Sequence, residues 1–201
     1  GFYGSGKSYF AKMLGFLIEN PVIQGTPFRE RFAHKLVGLN NEDFIRNQIN
    51  SLDKSKYKVV LFDTSKLDNK QGFAYMAMSQ FLLSLGLMNN WVGFMEYHLM
   101  LSDQYEEFLQ LVEQQNNGNQ WQKLRQNMTT TLKALKKAMY VIMGEENFRD
   151  TRAMVEERIG TYDADKLKED LSFYLAKHPQ EKIVFFIDEV SESIAQKKIN
   201  L

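Results

Sequence analysis

The sequence predicts an α/β fold in which a parallel sheet is interrupted by a large all-helical insertion, and three observations carry that expectation. A glycine-rich run, Gly1-Phe2-Tyr3-Gly4-Ser5-Gly6-Lys7-Ser8, leads directly into helical periodicity. Two short, almost wholly apolar segments, 57–62 and 183–187, read as strands covered on both faces of a parallel sheet. The chain between them is helical in pattern almost throughout, far more than one crossover between parallel strands requires.

In chain order, Phe10, Met13, Leu14, Leu17 and Ile18 recur at helical spacing after the glycines. Asn20-Pro21 ends that run, because proline disfavours helical geometry in the residue before it. The segment from Gly25 to Leu39 is mixed, and Phe44, Ile45, Gln48, Ile49 and Leu52 predict a short helix over Glu42–Leu52. Tyr-Lys-Val-Val-Leu-Phe (57–62) is the first strand. Helices are then expected at Gly72–Leu87, Val92–Gln115, Gln120–Met143, Phe148–Ile159 and Asp165–His178. The third of these is the most regular, with Trp121, Leu124, Met128, Leu132, Leu135, Met139 and Ile142 in steps of a helical turn. Residues 114–120, Gln-Gln-Asn-Asn-Gly-Asn-Gln, form a polar turn, so the helices on either side should pack antiparallel.

Bulk properties narrow the function. Twenty-five basic residues balance 25 acidic ones, so no global charge steers the molecule toward nucleic acid or an anionic membrane. The absence of cysteine excludes disulfide and thiolate chemistry. No apolar run is long enough to cross a bilayer, so a membrane partner is not expected. The first residue is already the first glycine of a motif, which suggests a piece of a longer chain whose preceding strand lies upstream.

That motif satisfies G-x-x-x-x-G-K-[ST] in full, the Walker A sequence of a P-loop NTPase. Glycines permit positive φ and close backbone approach, so Gly1, Gly4, Ser5, Gly6 and Tyr9 are expected to help form an anion nest at a helix N-terminus. Lys7 would reach the β- and γ-phosphates of ATP, and the Ser8 hydroxyl would ligate Mg²⁺. Ile183-Val184-Phe185-Phe186-Ile187-Asp188-Glu189 has the Walker B pattern, an apolar strand ending in two acids. Asp188 would hold Mg²⁺ through its water shell at the strand's C-terminal edge. Glu189 would polarise the attacking water, which favours hydrolysis over transfer to a second substrate; the plainer reading is a solvated loop acid. The domain division that follows is 1–66 for the first part of the core, 67–179 for the helical insertion, and 180–201 for the Walker B part of the core.

Other residues carry less chemistry. Asp63-Thr64-Ser65 closes the first strand at the same sheet edge, either as a polar contact near the γ-phosphate or as a simple strand-ending turn. His98 shares a helical face with Phe94, Leu101 and Tyr105 and is expected in the core. Lys123, Arg125, Lys133, Lys136 and Lys137 form a basic face on the third insertion helix, read as solvated in preference to a DNA-binding track. Arg149, Arg152 and Arg158 are candidate arginine fingers for a neighbouring subunit.

The opening Gly1–Gly15 (Gly-Phe-Tyr-Gly-Ser-Gly-Lys-Ser-Tyr-Phe-Ala-Lys-Met-Leu-Gly) and the closing 184–191 (Val-Phe-Phe-Ile-Asp-Glu-Val-Ser) together resemble the large P-loop ATPases of bacterial BREX phage-defence systems, the BrxC/PglY family. The similarity is tight at the two ends and loose between them. Many members of that family have His where this chain has Tyr9, a position inside the first helix that should leave phosphate binding intact. The resemblance implies an AAA-like fold of the ASCE division, with a sensor strand that would begin beyond Leu201. It also implies a cytoplasmic bacterial ATPase, homo-oligomeric through its ATPase interfaces, that works with other defence proteins on phage DNA. Two alternatives share the motifs: a nucleotide-gated scaffold with negligible hydrolysis, and an origin-recognition-like AAA DNA loader.

Overall fold

The computed structural model describes residues 6–52, 56–66 and 72–190, which fall into two compact units, Gly1–Asn69 with Leu175–Leu201, and Lys70–Tyr174. The division expected from sequence places the helical insertion at 67–179.

In the first unit, helix α1 (Lys7–Glu19) ends at Asn20, which adopts a left-handed conformation (φ 53°) and donates its N–H to Phe16 O. Arg29 then takes the orphan carbonyls of the last turn, donating from Nε to Leu17 O (2.7 Å) and from Nη2 to Ile18 O (3.0 Å). The mixed segment after Pro21 resolves into a hairpin, β1 (Val22–Ile23) with β2 (Thr26–Pro27), whose turn residues Gln24 and Gly25 both have positive φ, followed by α2 (Phe28–Ala33). Next come α3 (Glu42–Asn50), β3 (Lys56–Asp63) and a 3₁₀ turn (Thr64–Lys66), and near the end of the chain β4 (Glu181–Asp188).

Strands β3 and β4 pair in parallel, in register from Lys56 opposite Glu181 to Asp63 opposite Asp188. Val60 and Phe62 of β3 are buried, but every residue of β4 keeps part of its surface. Among the described residues neither strand is buried along its whole length. The described sheet is a two-stranded ribbon in which each strand is also an edge. Helix α1 packs on this ribbon at Gly15, its one buried residue, where a Cβ would stand 3.1 Å from Val59 Cγ1 and 3.8 Å from the Phe186 ring.

The second unit contains α4 (Gly72–Ser84), α5 (Trp91–Leu101), α6 (Tyr105–Gln115), α7 (Trp121–Leu124), α8 (Met128–Met143), α9 (Glu145–Gly160) and most of α10 (Ala164–Lys177). Two expected long helices are each broken. The 92–115 helix divides at Ser102-Asp103-Gln104, where Asp103 is left-handed (φ 60°) and Gln104 N–H returns to Leu99 O. The 120–143 helix divides at Asn127, whose side chain accepts from Thr129 N and Thr130 N and so starts α8 afresh. The polar turn at 114–120 is present, with left-handed Asn117 and Gly118, and α6 packs against α8. Trp121, Leu135 and Met139 of the predicted stripe are buried, while Met128 is exposed.

Polar residues in this unit depart from the sequence reading. His98 is exposed, and the buried polar residue of α5 is Glu96. Its carboxylate accepts from Trp121 Nε1 (2.6 Å), Met88 N (2.8 Å) and Tyr105 Oη (2.9 Å). Arg125 is not on the solvated face: it donates to Gly86 O at 2.7 Å and lies 3.4 Å from Glu96. Lys123, Lys133, Lys136 and Lys137 are exposed as expected. No helix among the described residues is long and apolar enough to cross a membrane.

The Gly15 contact is testable. Gly15→Leu should lower unfolding stability by roughly 1–3 kcal/mol through overpacking against Val59 and Phe186. Gly15→Ala should come close to neutral, because its gain in helix propensity of about 1 kcal/mol opposes the tight contact. Denaturant unfolding of both variants measures this, and an unchanged Gly15→Leu midpoint would remove α1 from the sheet.

Candidate functional site

The site is built where β3, β4 and the start of α1 meet. Because the two strands begin and end in register, Asp63 and Asp188 close neighbouring strands at one C-terminal edge. Gly6, left-handed at φ 75°, turns the chain into α1, and its carbonyl accepts from Phe10 N at 2.9 Å. The first N–H groups of that helix have no intrahelical acceptor.

Asp188 is held from several sides. The Ser8 hydroxyl donates to its Oδ2, and Glu189 N–H donates to its Oδ1 at 3.0 Å. The hydroxyl of Thr64, a fully buried residue, donates to the Asp188 carbonyl at 3.1 Å. Glu189 itself is left-handed (φ 55°) and half-buried, so the chain turns sharply out of β4 just after Asp188.

A cleft of about 220 Å³ opens at this edge, with Lys7, Ser8, Lys12, Asp63, Lys66 and Asp188 as its polar lining and Ala11, Leu61, Phe62, Phe186 and Ile187 as the rest. The structure thus brings Lys7, Ser8 and Asp188 together. Tyr9 does not line the cleft and is 70% exposed. The expected nest residues Gly1, Gly4 and Ser5 lie outside the described residues.

Asp63 serves both as a turn-former and as part of the cleft. Its Oδ1 accepts from Ser65 N (2.9 Å) and Ser65 Oγ (2.6 Å), and its Oδ2 pairs with Lys66 Nζ at 2.8 Å. Partial burial raises the Asp63 pKa, but the hydrogen bonds from Lys66 and Ser65 outweigh it and hold the carboxyl below its ordinary value of 3.8. Lys66 and Lys12 were not singled out by any motif; the signal that marks Lys66 is its place just past the end of a strand that closes beside Walker B.

The donor set suits Mg²⁺. Ser8 and Asp188 offer adjacent hard oxygens, and Mg²⁺ is usually held by one or two such side chains together with waters and phosphate oxygens. No cluster of three or more His, Cys, Asp or Glu among the described residues forms a separate metal cage. The candidate fingers are engaged within their own unit: Arg149 with Glu145, Arg152 with Glu156 and the Trp91 ring, Arg158 with Glu169 and Asp170. Tyr162 Oη also donates to that Asp170 carboxylate, so Arg158 belongs to a buried network.

No protein-family model matches the chain, and no solved structure matches it.

A carboxyl whose folded pKa is lowered contributes stability above its ordinary pKa and loses it as pH falls through the folded value. The Asp63 midpoint, followed by carboxyl ¹³C NMR, should therefore lie below 3.8 and rise toward it in Lys66→Met. A midpoint insensitive to that substitution would mean the ion pair does not form in solution.

Proposed function

We propose that the unit carrying the cleft binds ATP with Mg²⁺ and hydrolyses it. The observation that carries this reading is the hydrogen bond from Ser8 to Asp188 beside Lys7, because two motif residues far apart in sequence meet there as one oxygen-donor pair. Lys7 supplies a cation for the β- and γ-phosphate oxygens, and the exposed N–H groups of α1 favour the same anion. Ser8 and Asp188 are the residues that would hold Mg²⁺, which supplies charge neutralisation on the phosphates.

In this reading Glu189 accepts the proton of a water as its oxygen attacks the γ-phosphorus. The bond from that phosphorus to the β,γ-bridging oxygen breaks, and ADP and phosphate leave. The wider role, driving or timing conformational change in a BREX-type defence complex on DNA, rests on the resemblance of residues 1–15 and 184–191. On that reading the genes beside its own encode a methyltransferase and other defence components; neighbours of a different kind would remove the defence assignment.

The hydrolytic reading is tested with two substitutions in the full-length protein. Lys7→Ala should abolish ATP binding. Glu189→Gln, which keeps shape but not basicity, should retain ATP while phosphate release falls on the order of 10²-fold or more. Titration with labelled ATP and a phosphate-release assay read the two effects. Equal ATP affinity in Lys7→Ala would refute the phosphate site, and unchanged turnover in Glu189→Gln would remove Glu189 from the chemistry.

A further inference from the structure

Lys66 ends the 3₁₀ turn after β3, and no motif accounts for it. Its ammonium lies 2.8 Å from Asp63 Oδ2, yet its side chain is 79% exposed. An ion pair so open to water contributes little stability, so the lysine is not needed to hold the turn. The Asp63 side chain already closes that turn through Ser65 N and Ser65 Oγ.

What the position does provide is a cation at the cleft. Lys66 lines it together with Lys7, Ser8 and Asp188, but comes from the strand edge and not from the helix that carries Lys7. Its proton is held more tightly than an ordinary lysine's, first by the hydrogen bond to Asp63, then by that carboxylate's charge, with Asp188 and Glu189 adding to it. The ammonium therefore stands in the field of the two residues assigned to the metal and to the attacking water. The proposed metal ligand Asp188 lines the same cleft, so a terminal phosphate bound beside that metal would enter the cleft that Lys66 lines.

Resting on the ATPase reading above, we propose that Lys66 is a second phosphate-binding cation, one that exchanges Asp63 for the terminal phosphate of a nucleoside triphosphate. A lysine has a flexible four-carbon stem and three donors, and a phosphate offers more charge and more acceptor oxygens than the carboxylate it leaves. A diphosphate lacks the group Lys66 reaches, so the residue makes the site discriminate between ATP and ADP, a task separate from the general phosphate grip of Lys7.

The test compares Mg²⁺ complexes of AMP-PNP, a non-hydrolysable triphosphate, and of ADP, by calorimetric titration into full-length wild type, Lys66→Met and Lys66→Arg. Lys66→Met should weaken the triphosphate about tenfold and leave ADP within about twofold, and Lys66→Arg should recover most of the loss. An unchanged thermal midpoint in Lys66→Met, expected at so exposed a position, separates this from unfolding. Equal losses for both nucleotides, or no loss for either, would overturn the role of Lys66 while leaving the phosphate site standing. Failure of wild type to bind either nucleotide would overturn the ATPase reading and this inference with it.

Discussion

A two-stranded sheet is marginal in water by itself and becomes stable when a helix covers it. In the first unit that helix is α1, and the contact is made at Gly15, where Val59 leaves no comfortable room for a larger side chain. The helix that covers β3 and β4 is also the helix whose first turn carries Lys7 and Ser8. Packing and chemistry are thus coupled through one rigid element: the seat at Gly15 fixes the height of Ser8 against Asp188. The parallel register does the rest, since side chains alternate faces along a strand and a one-residue slip would turn Asp188 away from its partner.

The helical unit is organised on a different principle, around two buried acids. Glu96 is fully enclosed, and a buried carboxylate is tolerated only when its oxygens are satisfied. Donors from α6, α7 and the loop before α5 converge on it, so the carboxylate sets how those segments meet. Asp170 does the same for the other end, taking Tyr162 and Arg158 on its side chain while its carbonyl accepts from Tyr97. Burial, then the nearby carboxylates, raises the pKa of the Tyr105 and Tyr97 hydroxyls, and for Tyr162 the hydrogen bond to Asp170 reinforces the burial, so these groups stay protonated donors. A basic surface on α8 remains outside this arrangement, where Lys133, Lys136 and Lys137 are exposed.

Much of the first unit was legible because its signals are local. Asn20-Pro21 stops α1 at the expected place, and both long strands appear within a residue or two of the apolar runs. Helix breaks were harder to read. Asp103 adopts a left-handed conformation without a glycine to announce it, and Asn127 caps α8 from inside an unbroken apolar stripe. Buried charge was hidden for a related reason: periodicity separates apolar from polar residues, and Glu96 is polar by type but internal by partnership. The same blindness misplaced His98 and Arg125. At the cleft, motif spacing pointed to Lys7, Ser8 and Asp188, whereas Lys66 belongs to no motif and becomes visible once the register places β3 beside β4.

Asp188 and Glu189 are adjacent in sequence, yet the proposed mechanism gives them different work, one toward a metal and one toward water. Along a continuing strand they would point to opposite faces. The chain leaves the extended conformation at Glu189, with φ at 55° and the Glu189 N–H turned back onto Asp188 Oδ1, and Asp188 lines the cleft while Glu189 is not among its lining residues. A left-handed residue with a side chain costs on the order of 1 kcal/mol, and glycine would make the same turn with less strain. Strain of this kind concentrates at functional sites because a required side chain overrides the easier backbone choice. The same left-handed conformation is taken by Asn20, Gln24, Asp103 and Asn117 at helix ends and turns, so at residue 189 it marks a sharp turn, and a catalytic role for the carboxylate rests on the proposed mechanism alone.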